Sequence, residues 1–150
     1  MSKSNEIPFV ALPVDIFTAM RDILGEYDLS DKEEEFFETL GVRCGRAVVK
    51  RTGFTWESDE QLADALVSLW AEVGIGRLTA KDVDKCGVAA EVTDTIESLA
   101  LGNVGEPSCH FTRGYITGVV SELSSREHMT VEDQCVCEGH PKCVFTVIPL

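Results

Sequence analysis

Glu132-Asp133-Gln134-Cys135-Val136-Cys137-Glu138-Gly139-His140-Pro141-Lys142-Cys143-Val144-Phe145 is the stretch on which the fold turns. β-favouring residues run from His128 to Cys137 and again from Cys143 to Ile148. Glu138 to Lys142, between the runs, has the glycine and proline content of a hairpin loop, so the chain closes on strand, turn, strand. Cys135, Cys137 and Cys143 are thereby brought across one hairpin, and Cys109 lies a little upstream.

Working back from the hairpin, Pro107 suits the first turn of a helix running to about Leu123, with Phe111, Tyr115, Ile116, Val119, Val120 and Leu123 on its apolar side. Gly114 and Gly118 on that helix would let another element approach closely. Cys109 would sit in its first turn, where the helix dipole favours a thiolate. Asp94 to Leu101 reads as a short helix or a loop. From Arg77 to Val92 the helical period fades, and Leu78, Val83, Val88 and Val92 suggest one or two strands.

Three helices are expected before that. The first carries Ile16, Phe17, Met20, Ile23 and Leu24 and is ended by Gly25. The second opens on a capping box, Ser30 with Glu33, carries Phe36, Phe37, Leu40, Cys44, Ala47 and Val48 on one face, and ends near Gly53. The third is capped by Ser58, carries Leu62, Leu66, Leu69, Trp70 and Val73, and is stopped by Gly74 and Gly76. The fold class is therefore α+β, helices leading and antiparallel strands closing, in one domain over residues 1–150 with 1–11 as a flexible leader.

Acidic residues number 26 against 13 basic ones, and the net charge of -13 repels phosphate backbones and anionic surfaces, which argues against a nucleic-acid partner. The N-terminus lacks the basic and apolar regions of a secretory signal, and no apolar run approaches the ~20 residues of a membrane span. A cytoplasmic location follows as the expectation. Thiols stay reduced there, so the six cysteines point to metal, redox chemistry or burial before disulfides.

Thiolates are strong zinc ligands, and a tetrahedral site commonly joins a hairpin to a helix end. The pattern Glu132-x-x-Cys135-x-x-x-Gly139-x-x-x-Cys143-x-Phe145, preceded by Cys109-His110-Phe111-x-x-Gly114-Tyr115-x-x-Gly118, resembles the 4-vinyl reductase domain, also described as a hydrocarbon-binding domain. Leu12-Pro13-x-x-Ile16-Phe17 and the helices before the motif fit the same family loosely. The resemblance implies an α+β fold similar to ligand-binding subunits of a Golgi transport complex, a homodimer, and Zn2+ held by Cys109, Glu132, Cys135 and Cys143. It further implies a module that binds a small hydrophobic or aromatic ligand, as a sensor or carrier.

Strand geometry leaves the fourth ligand open. In a regular strand Glu132 and Cys135 face opposite sides while Cys135 and Cys137 share one. Either a bulge intervenes, or Cys137 replaces Glu132, with His110 and His140 as further candidates. Three thiolates and a carboxylate fill a tetrahedron, which makes the metal structural, and so negative a site needs backbone N–H donors nearby.

The alternative function is a reductase or accessory protein acting on a tetrapyrrole vinyl group. The sequence carries no dinucleotide fingerprint and no Ser/His/Asp constellation for it. A Cys135–Cys137 redox pair is disfavoured by the strain of a disulfide within one strand. A sensor would need a separate output partner. Cys44 reads as a core residue, Cys86 as structural or incidental, His128 and His140 as exposed, and Phe36, Phe37 and Trp70 as core aromatics. Asp31 to Glu35 reads as the solvated start of a helix. Without a metal, the clustered cysteines are simply buried thiols.

Overall fold

The computed structural model describes residues 8, 10–53, 61–73, 76–83 and 87–150. Helices α1 (Asp15–Glu26), α2 (Glu33–Thr52) and α3 (Leu62–Val73) lead into strands β1 (Arg77–Val83) and β2 (Gly87–Thr93). Helices α4 (Ile96–Leu101) and α5 (His110–Ser124) follow, and β3 (His128–Gln134) and β4 (Cys143–Pro149) close the chain. The fold is α+β, and its four strands form an antiparallel sheet in the order β1-β2-β4-β3. Among the described residues no helix is long and apolar enough to cross a membrane.

Alternation along the strands places Val88, Ala90, Val92, Phe145 and Val147 on a buried sheet face. Leu62, Leu66, Leu69 and Trp70 of α3 and Ile116, Val119 and Val120 of α5 join them in one core. A third layer, α2, lies on the far side of α5, and the contact between these helices is made by glycines. A Cβ on Gly41 would lie 2.2 Å from the Phe111 carbonyl oxygen, and one on Gly114 would lie 2.1 Å from that of Glu38. Gly45 and Gly118 repeat the close approach one turn on, against Tyr115 and Val42, so the two helices run parallel with their backbones touching. Arg113 pairs with Glu34 and Glu38 at one end of this contact, and Arg46 pairs with Glu122 and Glu127 at the other.

Several sequence expectations change in detail. Ser30 makes no capping box, because Ser30–Lys32 form a 3-10 turn and α2 begins at Glu33, whose carboxylate instead meets Arg21. The buried face of α2 is Phe37, Gly41, Gly45 and Val49, so Phe36 is 41% exposed and Cys44 half-buried. Gly25 lies inside α1, which continues to Glu26, whereas Gly53 does end α2 in a left-handed conformation. Pro107 precedes α5 rather than opening it. His128, expected at the surface, is buried, with its ring Nδ1 2.9 Å from the Arg126 carbonyl and its backbone N–H donated to Ser121. Ser58, Gly74 and Cys86 lie outside the described residues.

Candidate metal centre

Three local features bring the site together. Cys109 is the N-cap of α5, and its side chain makes no capping hydrogen bond, so the sulfur is free to point away from the helix. Strand β3 shifts register between Glu132, opposite Phe145, and Gln134, opposite Val144. This bulge around Asp133 turns Glu132 and Cys135 toward the same side, which a regular strand forbids. After Cys135 the chain makes a 3-10 turn over Val136–Glu138 that ends on Gly139, at φ 105°, and enters β4 at Cys143.

The ligand atoms of Cys109, Glu132, Cys135 and Cys143 consequently all lie within 4.8 Å of one another. Cys109 Sγ is 3.5 Å from both Cys143 Sγ and Cys135 Sγ, and the three thiols are fully buried. Cys143 Sγ accepts the Val136 backbone N–H at 3.4 Å, the kind of donor so negative a site requires. The ligand segments are also tied through main chain, since Val104 and Gly105 N–H donate to the Cys137 carbonyl at 2.8 and 3.0 Å.

The electrostatics call for a cation. Both carboxylate oxygens of Glu132 are buried, and neither has a hydrogen-bond partner among the described residues. Burial, reinforced by Cys135, pushes this carboxyl up to about 9 in spite of Arg113. Donation to Cys135 raises the Cys109 thiol, and Cys135, accepting from Cys109, is lowered. Without a cation, the cluster therefore holds its negative charge on one sulfur and keeps its other acids protonated. A tetrahedral metal would release those protons and give both Glu132 oxygens a neighbour of opposite charge. Three thiols with one carboxylate suit zinc best among common ions.

The residues held as alternatives lie to the side. Cys137 is buried and neighbours Cys109 and Cys135, but it is not in the group of mutually close ligand atoms. His140 is exposed, 3.8 Å from Glu138. His110 is half-buried beside Arg113, and burial, then that guanidinium, holds its imidazole below the ordinary range. A cleft of about 730 Å³ opens next to the centre, with Glu33, Glu34, Glu38, His110, Arg113 and Glu132 in its wall, so solvent approaches the carboxylate side.

Two residues that sequence reasoning missed complete the surroundings. Thr95, the N-cap of α4, has Oγ1 3.3 Å from Cys109 Sγ. Glu97 is wholly buried, with its carboxylate accepting the Thr112 N–H and hydroxyl, each at 2.7 Å. Burial pushes its carboxyl up to about 7 against the pull of Thr112. A charged residue in a six-residue helix gives no local signal of either role.

Residues 88–149 match the family model of the 4-vinyl reductase domain. An uncharacterised protein of Methanocaldococcus jannaschii is 27% identical over 136 residues, which span 91% of this chain and 75% of that protein. Among solved structures, the phenol-responsive sensory domain of the transcription activator PoxR, solved with phenol, superposes with a TM-score of 0.77 at 23% identity, over 96% of this chain and 78% of that one. A vinyl-4-reductase family protein of Methanocaldococcus jannaschii gives 0.58 at 17% identity, over 95% and 84%. Subunit 3 of a trafficking protein particle complex from Naegleria fowleri, covalently bound to palmitic acid, gives 0.57 at 12%, over 91% and 95%. The last three establish likeness of fold, the family match covers the hairpin and α5 together, and the segment 88–149 therefore belongs to the 4-vinyl reductase domain family.

Proposed function

We propose that the chain is a zinc-stabilised domain that binds a small hydrophobic or aromatic molecule, as a sensor or carrier. The observation that carries this reading is the convergence of Cys109, Glu132, Cys135 and Cys143, with the Glu132 oxygens buried and unpartnered. Zinc pins the start of α5 to the closing hairpin, and with four protein ligands it leaves no position for a catalytic water. Its thiolates are kept by a reducing, cytoplasmic compartment.

The fold it shares with the PoxR sensory domain supports the ligand class. A row of aromatics also runs from the centre into the core: Phe111 stacks on Tyr115 at 5.9 Å, and Tyr115 meets Trp70 edge-on at 5.5 Å. An apolar ligand entering between α3 and α5 disturbs this row, as expected for a binding site lined by the helices' apolar sides. The outward stripe of α1, with Ile16 38%, Ile23 48% and Tyr27 73% exposed, supports a homodimer in which a second copy covers it.

The test is a panel of phenols, aromatic hydrocarbons, fatty acids and porphyrins, read by tryptophan emission and by melting temperature. A binding domain shows saturable emission change, and a melting temperature that rises with the logarithm of ligand concentration above the dissociation constant. No response to any member overturns the binding reading. Chemical reduction of a vinyl-bearing porphyrin with an added electron donor moves the function to the reductase class.

A further inference from the structure

An N-cap residue ordinarily uses its own side chain to accept a hydrogen bond from the second or third helical N–H. Cys109 caps α5 without doing so, because its sulfur is turned into the thiol cluster. The N–H that such a cap would hold, that of Thr112, is instead taken by Glu97 from another helix, at 2.7 Å, and the Thr112 hydroxyl donates to the second Glu97 oxygen at the same distance. Two residues earlier, Thr95 Oγ1 accepts the Ser98 N–H at 3.1 Å, which leaves its one hydrogen to serve Cys109 Sγ, 3.3 Å away. Thr95 is 1% exposed and Glu97 0%, so neither contact competes with solvent.

We propose that Thr95 and Glu97 are positioning residues for the metal centre, with α4 acting as its outer support. This rests on the reading of Cys109, Glu132, Cys135 and Cys143 as a metal site. Thr95 fixes the direction of the Cys109 sulfur and withdraws charge from it as a hydrogen-bond donor, since a ligating thiolate has no proton of its own to give. Glu97 holds the first turn of α5 at the place where that sulfur is presented. Helix α4 also touches α1 and the 3-10 turn over Val136–Glu138, so the support spans both ligand segments.

The experiment uses the full chain loaded with cobalt, whose thiolate charge-transfer absorption reports the sulfur environment. Thr95→Val keeps the shape and removes the hydroxyl, Thr95→Ser restores it, and Glu97→Leu removes the acceptor for Thr112. Thr95→Val and Glu97→Leu should each weaken cobalt binding by about 10- to 100-fold against a competing chelator. Thr95→Val should also shift the charge-transfer band, and Thr95→Ser should return both affinity and band to those of the parent. A Thr95→Val protein with parental affinity and an unshifted band overturns the proposal while leaving the metal centre intact. Failure of the parent protein to take up cobalt overturns the metal reading itself.

Discussion

At the residue scale, Glu132 separates the two ligand sets that strand geometry allowed. Its oxygens are buried without partners, whereas Cys137 is packed beside the cluster and contributes its carbonyl to Val104 and Gly105. Glu132→Gln should therefore weaken zinc binding clearly and Cys137→Ala only slightly, measured by chelator competition; the reverse order would make the site all-cysteine. Cys135→Ser and Cys143→Ser should each lose most of the metal, with at least ~10-fold weaker binding, as read by elemental analysis. Metal uptake should also release protons. In the metal-free protein Glu132 is raised to about 9 and Cys109 is raised by its hydrogen bond to Cys135, so at neutral pH both carry protons that the cation must displace. Affinity should fall as pH falls, and calorimetry in buffers of different ionisation enthalpy should show net proton release; a release of zero contradicts the assigned protonation.

At the scale of elements, the α2–α5 contact makes the sharpest demand on sequence. Adding a methyl at Gly41 or Gly114 drives it into backbone oxygen, with no flexible side chain to give way. Gly41→Ala and Gly114→Ala should each cost about 1–3 kcal/mol in denaturant melts, while Glu35→Ala on the exposed face should cost almost nothing. Loss of stability no larger at the glycines than at Glu35 would mean that the helices do not touch there. The use of Gly114 and Gly118 for close approach was legible in the sequence, as were the strand pair before α4, the closing hairpin and the need for a bulge after Glu132. The matching face of α2 was not, because a search for large apolar residues chose Phe36 and passed over Gly41 and Gly45. Helix α4 escaped for a related reason: its importance lies in Thr95 and Glu97, whose partners Cys109 and Thr112 are distant in sequence. His128 reads as polar and exposed in isolation, and only the return of β3 under the end of α5 buries it.

At the scale of the whole molecule, the two parts are a helical body, in which α1, α2 and α3 surround α5, and a sheet whose last hairpin carries most of the ligands. Zinc joins them where α5 begins. The exposed stripe on α1 carries its own consequence: Ile23→Glu together with Tyr27→Glu should convert a dimer into a particle of 16.4 kDa by sedimentation, with zinc retained. A parent protein that already sediments as a monomer at micromolar concentration would remove the dimer from the account. The central claim, that these four side chains hold a structural zinc, is tested most directly by native mass spectrometry and elemental analysis of protein purified without added metal. The account predicts one zinc per chain, lost together with the native melting transition on chelation at low pH; no zinc after gentle preparation, and no uptake when it is added, would contradict it.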